Sequence, residues 1–222
     1  LPLASTPGRF GLGLSRVSYE LGDQFAALGA NGTADSLDAT LSYPLIREAQ
    51  RNLLVRFGVD SKSLEDRTDA VGLETRTEKR LNGLVIGLNY EGRDNLGGGG
   101  YSGAALSLRS GKLRFKTADA DDSVLGERAT AGQFRKVEAQ ITRLQGITRE
   151  VSFFAGLTAQ WASKNLDGSE KITLGGPKGV RAYPRSEAAS DTGAILSAEL
   201  RWAVSPRWTL FGLADAGRGK AQ

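Results

Sequence analysis

The stretch Leu174–Pro184, LGGPKGVRAYP, sets one arginine among residues that turn the chain sharply. Gly175 and Gly176 precede Pro177, Gly179 follows, and Arg181 stands between Val180 and Ala182, ahead of Tyr183 and Pro184. A guanidinium stays charged and presents its donors as a rigid planar fork, so the chemistry open to Arg181 is pairing with a carboxylate or with water. Other chemistries lack their parts. The chain has no histidine and no cysteine, which removes serine-histidine triads, histidine-ligated zinc, thiol nucleophiles and disulfides together. An enzyme is not expected, and no residue is singled out as catalytic, cofactor-binding or metal-ligating. The run GGGG at 97–100 reads as a turn, because no lysine-serine or lysine-threonine pair follows it. The acids of DADDS at 119–123 lack the glycine and the distant glutamate of a calcium loop and read as a solvated loop. NGT at 31–33 has the form of a glycosylation acceptor and carries no functional weight.

The elements that must position Arg181 are strands. Of 222 residues, 40% are hydrophobic and 24% charged, the balance of a folded protein. An apolar residue recurs at every second position between the glycines. Leu53, Val55, Phe57 and Val59 alternate with Leu54, Arg56, Gly58 and Asp60; Leu84, Ile86, Leu88 and Tyr90 continue the pattern. Val137, Ala139 and Ile141 oppose Lys136, Glu138 and Gln140, and Leu196, Ala198, Leu200 and Trp202 oppose Ser197, Glu199 and Arg201. In the last candidate strand Trp208 and Leu210 share one face, with Thr209, Phe211, Leu213 and Asp215 on the other. This is strand periodicity, sustained over about nine strands of roughly ten residues where soluble sheets average about five or six.

The connections alternate in length. Short ones are expected near 46–51, 92–99, 145–149 and 204–206, and long polar ones near 21–35, 61–79, 110–131 and 164–191. Long up-and-down strands, loops of unequal length at the two ends and an apolar band capped by Tyr and Trp predict an antiparallel transmembrane β-barrel segment of the bacterial outer membrane. Its apolar face meets lipid and lipopolysaccharide. Its polar face lines a lumen in which Arg56, Lys136, Glu138, Glu199 and Arg201 stay hydrated. Trp161, Trp202 and Trp208 are expected in the interfacial belts. The 29 basic residues against 25 acidic ones are scattered rather than striped, which argues against nucleic acid as a partner. The chain contains no methionine and is read as a piece of something longer, lacking strands at both ends.

The segments SEKITLGGPKGVRAYP, SDTGAILSAELRW and LFGLADAGRGK resemble the two-partner secretion transporters (TpsB family, haemolysin secretion/activation type) of the wider BamA-like outer-membrane superfamily. The resemblance implies a sixteen-stranded barrel preceded by two polypeptide-transport-associated (POTRA) domains, with residues 1–222 a partial barrel from about the fifth to the thirteenth strand. It makes 164–191 the sixth extracellular loop, folded back into the lumen. The family's tip motif is Val-Arg-Gly-Tyr or Phe; here it reads Val180, Arg181, Ala182, Tyr183, with Gly175 and Gly176 in support. A tip backbone of positive φ at 182 costs alanine more than glycine. In the family the arginine pairs with the aspartate of a Phe-x-Asp motif. The matching residues are Leu213, Ala214 and Asp215, with leucine in place of phenylalanine. The alternation puts Asp215 on the lumen face, and Glu199 is the alternative partner.

The implied function is export of one large secreted partner of TpsA type, a haemolysin, adhesin or contact-dependent toxin, passed unfolded through the pore without nucleotide or other cofactor. Alternative readings are a BamA-like assembly barrel, a passive porin, or a soluble all-β binding module.

Overall fold

The computed structural model describes residues 7–20, 29–70, 73–116, 129–184 and 188–222, without the side chains of 70, 73 and 74. DADDS at 119–123 lies outside the described residues. The described chain forms β1 (Arg9–Glu20), β2 (Asn31–Arg47), β3 (Arg51–Ala70), β4 (Leu73–Asp94), β5 (Gly100–Phe115), β6 (Gly132–Gly146), β7 (Val151–Ala162), two short strands β8 (Ile172–Thr173) and β9 (Ala189–Ser190), then β10 (Thr192–Ser205) and β11 (Trp208–Lys220). Nine of them make one sheet in the order β1-β2-β3-β4-β5-β6-β7-β10-β11, and β8 pairs with β9 apart from it. Every neighbour in the large sheet is antiparallel. The architecture is thus the up-and-down all-β one that the alternation predicts.

The strands are longer than the hydropathy suggests. β3 and β4 run for 20 and 22 residues and stay in register from Arg51↔Gly92 to Ala70↔Leu73. The polar stretch 61–79, expected as a loop, is therefore a β-ribbon over its described residues, 61–70 paired with 73–79 and beyond. The reason is environmental. Beyond the apolar band the inward face of the ribbon carries Lys62 and Lys79, which pair with acids of the 163–191 connection, so alternation in hydropathy ends while backbone pairing does not. The short turns are those expected, within a few residues: 48–50, 95–99, 147–150 and 206–207.

Register fixes two faces. Asp60, Gly83, Gly111 and Phe134 lie side by side across β3, β4, β5 and β6, as do Gly156, Ser197 and Asp215 across β7, β10 and β11. The opposite face carries Val59, Leu84, Ile86, Leu106, Leu108, Ile141, Leu157, Leu196 and Leu200, and most of these side chains are exposed. Trp161 extends this band near the end of β7, and Trp202 and Trp208 flank the 206–207 turn, all three exposed. An apolar belt of this extent is not the surface of a water-soluble monomer, which removes the soluble-module reading. The buried residues lie on the other face, where Leu81, Leu113, Phe134 and Ala162 pack with Leu166 from the 163–191 connection.

That second face is concave. Lys62 on β3 and Lys136 on β6 would stand about 14 Å apart sideways and about 13 Å along the strands in a flat sheet. Both nevertheless reach the carboxylate of Glu170, at 2.7 and 3.0 Å. The sheet curls around the connection, as a barrel wall does.

Candidate functional site: a segment pinned inside the wall

The 163–191 connection is tied down at its base. Asp191, fully buried, accepts hydrogen bonds from the Leu166 and Gln222 amides, both at 2.8 Å. Asp167 caps the 3₁₀ turn Gly168–Glu170 by accepting from the Ser169 amide at 3.1 Å. The β8–β9 ladder, Ile172↔Ser190 and Thr173↔Ala189, then closes the two legs.

The tip needs its glycines for contact. A Cβ on Gly175 would stand 2.3 Å from the Pro184 carbonyl oxygen, and one on Gly179 would stand 2.2 Å from that of Leu174. Gly176 has φ 95°, a conformation that disfavours any side chain. The turn is closed by Val180 N–H donating to the Leu174 carbonyl at 2.7 Å and Gly176 N–H to that of Tyr183 at 2.9 Å. Ala182 is not in the left-handed region; among the described non-glycine residues Ala188 alone has positive φ. The expected backbone penalty for alanine in the motif therefore does not arise, because Gly176 makes the reversal. The wall side is trimmed as well: a Cβ on Gly217 would stand 2.9 Å from Val180 Cγ2, and one on Gly219 2.9 Å from Leu174 Cδ1.

Arg181 lands between the two carboxylates weighed as its partners and binds both. Its Nε donates to Asp215 Oδ2 at 2.7 Å and its Nη2 to Oδ1 at 2.9 Å, a bidentate fork, while its backbone N–H adds a third bond at 3.2 Å. Its Nη1 donates to Glu199 Oε2 at 3.0 Å. Glu199 is held from the far side by Arg201 Nε at 2.5 Å. The Asp215 side chain is only 4% exposed and that of Arg181 31%. Hydrogen bonding to Asp215 first, then Glu199, holds the Arg181 pKa above its ordinary value. Leu213 sits opposite Glu199 in the ladder. The Tyr183 ring is exposed and takes no part in this pairing, though its backbone closes the tip.

A second cluster was not among the expected site residues. Glu170, 4% exposed, faces Lys62 at 2.7 Å, Lys136 at 3.0 Å and Arg109 Nε at 3.2 Å. Arg109 also forks onto Asp60 at 2.9 and 2.6 Å. Asp167 pairs with Lys79 at 2.9 Å. The signal was present in part: Lys62, Lys79, Arg109 and Lys136 fall on the non-lipid positions of four successive strands. Nothing in the sequence said that the acids answering them lie on the connection.

A curled antiparallel sheet, apolar and exposed outside, polar within, with a connection pinned to its inner wall by charge, defines a segment of an outer-membrane β-barrel. The chain belongs to the haemolysin secretion/activation protein family ShlB/FhaC/HecB, which it matches over residues 7–222. It is 27% identical over 193 residues to the heme/hemopexin transporter protein HuxB of Haemophilus influenzae, covering 87% of this chain and 34% of that protein. It is 26% identical over 164 residues to the outer membrane transporter CdiB of Escherichia coli O6:K15:H31 (strain 536 / UPEC), covering 74% of this chain and 27% of that protein. The solved structure of CdiB from Escherichia coli superposes on 95% of this chain and 39% of its own, with TM-score 0.71 and 20% identity. CdiB from Acinetobacter baumannii superposes with TM-score 0.68 and 14% identity over 97% of this chain and 38% of its own. The chain thus spans about a third of the length of these relatives.

Proposed function

We propose that this chain is the pore-forming part of an outer-membrane transporter that exports one large partner protein in an unfolded state. Residues 164–191 act as the sixth extracellular loop, folded into the lumen as a plug, and Arg181 latches that plug to the wall. The supporting observation is the fork of Arg181 onto Asp215, with Glu199 beside it, on the face away from lipid. Family membership supports the export reading over an assembly barrel or a passive porin. The outer apolar band contacts lipid and lipopolysaccharide, and the protein carries out no covalent step, in keeping with a chain that has neither histidine nor cysteine.

The reading is tested in the full-length gene product, co-expressed with its secreted partner. Arg181→Ala and Asp215→Ala are each expected to lower secretion at least about tenfold while leaving the heat-modifiable barrel band on a gel unchanged. Wild-type secretion by both variants refutes the latch.

A further inference from the structure

We infer that the outward face of β4, β5 and β6 carries a site for the phosphorylated sugar headgroup of lipopolysaccharide, made by Arg80, Lys112, Arg114 and Arg135. The site deepens the lipid contact proposed above. It rests on the same orientation, with the long connections at the cell exterior, where lipopolysaccharide forms the leaflet.

The four residues share a face with the apolar band and stand just past its edge, toward the long connections. Val137 and Trp161 are cross-strand partners at that edge. Arg135 lies two residues beyond Val137, and Lys112 four beyond Leu108. Arg80 and Arg114 are direct cross-strand partners, so their side chains are rooted about 5 Å apart. Lys112 is next to Arg114 on the same face. Arg135 pairs with Ser110, which leaves it diagonal to Lys112 on the neighbouring strand. All four residues are exposed.

Like charges directly opposite on paired strands repel, and among the described residues no carboxylate pairs with any of the four. The acid next along this face, Glu78, is held by Arg76 at 2.8 Å. Farther out on the β3–β4 ribbon Arg67 and Arg76 are matched by Glu65. At the opposite edge of the band the outward strand cations are matched too, Arg51 by Glu48 at 2.7 Å and Arg143 by Asp94 at 2.9 Å. The unmatched charge on β4, β5 and β6 thus falls where the apolar band ends on the loop side and is absent where it ends on the turn side. Ordinary solvated cations have no reason to follow that asymmetry; cations facing an anionic leaflet do.

Continuity with the band selects the occupant. A lipid whose chains lie against Leu84, Leu108 and Val137 brings its headgroup to the height of these cations. Guanidinium forks accept phosphate oxygens in pairs. Asn82, Ser110 and Gln133, exposed among the cations, supply hydrogen bonds for sugar hydroxyls. A phosphomonoester carries about −1.5 to −2 at pH 7, so a headgroup with two of them answers four positive charges. The phosphodiester of a glycerophospholipid, with a single negative charge, does not.

The test uses the full-length gene product in phosphatidylcholine nanodiscs, with bis-phosphorylated lipid A as the probe and its retention read by native mass spectrometry. Arg80→Gln, Lys112→Gln, Arg114→Gln and Arg135→Gln together are expected to weaken retention at least about tenfold, with the heat-modifiable band intact. Arg51→Gln with Arg143→Gln should retain lipid A as the wild type does. Unchanged retention by the fourfold variant, or an equal loss in the turn-side pair, overturns the site. An equal loss with dephosphorylated lipid A overturns recognition through phosphate, and an equal loss with phosphatidylglycerol overturns the assignment to lipopolysaccharide. A measurement on the unmutated protein needs no variant to fold. Acylation of Lys112 by an amine-selective reagent should fall severalfold when lipid A is added, while exposed Lys178 on the tip stays reactive and buried Lys136 stays protected. Lys112 as reactive as before, or Lys178 falling equally, overturns the site. No secretion assay enters, and a passive porin or an assembly barrel with this face would bind alike, so failure of the export reading leaves these outcomes standing.

Discussion

Arg181 and Glu170 carry opposite charges on one segment, and each meets its complement on the strands. The Arg181 half was legible because its glycines and motif mark a turn and because alternation gives Asp215 a face. Glu170 was not, since a buried acid in a three-residue 3₁₀ turn has no periodicity to betray it. Its chemistry yields a pH prediction. Burial pushes the Glu170 pKa up, but Lys136, then Lys62 and Arg109, outweigh it and hold the group below its ordinary value of 4.5. Asp167 behaves alike, burial being outweighed by Lys79, so it lies below 3.8. A carboxylate with a depressed folded pKa contributes its full stabilisation above its ordinary value and loses it only as pH falls through the lower one. The opening frequency of the reconstituted pore in a planar bilayer should therefore stay flat from about pH 8 to about pH 5 and rise only below the ordinary carboxylate range. In Glu170→Gln it should be raised throughout that plateau. An increase beginning between about pH 7 and 6, or a Gln variant indistinguishable from the wild type, would contradict this assignment.

At the scale of elements, the strands make room for the charges by omitting side chains beside them. A Cβ on Gly83 would stand 2.4 Å from Arg109 Nη2 and 2.8 Å from Asp60 Oδ1, so the Arg109–Asp60 fork lies across the bare backbone of β4. Gly111 is covered in the same way by the Phe134 ring, whose Cζ is 2.3 Å from the missing Cβ. Alternation marks such residues as inward-facing; it does not say that they are pavement for a neighbour. Strand lengths escaped for a related reason, since the β3–β4 ribbon pairs through polar sequence that hydropathy reads as loop. Gly83→Val should displace the fork, loosen Glu170 and raise acylation of Lys136 severalfold, at an overpacking cost of about 1–3 kcal/mol. Pro and charge need not be introduced for this, so strand pairing survives and the heat-modifiable band should persist at slightly lower temperature. Unchanged Lys136 protection would mean that the fork does not help to seat the segment.

At the scale of the molecule, the decisive feature is that the described sheet has ends. β1 pairs only with β2 and β11 only with β10. Nine up-and-down strands leave the first and last running in the same direction, so mutual closure of these two would demand a parallel pair in an otherwise antiparallel wall. In hydrocarbon each unsatisfied backbone group costs several kcal/mol, and β1 and β11 would present rows of them along 12 and 13 residues. Hydropathy made the lipid-facing band legible, and the family resemblance implied a wall of more strands than nine, but neither contains the energetic consequence for residues 1–222 taken alone. Their free edges template pairing with further copies. Expressed by themselves and refolded into detergent, these residues should elute from a sizing column as large heterogeneous assemblies without a heat-modifiable band. The full-length gene product under the same conditions should give a discrete, heat-modifiable species. A monodisperse monomer from residues 1–222 would mean that β1 and β11 do meet, and the wall would then be a small closed barrel too narrow for both a seated plug and a passing polypeptide.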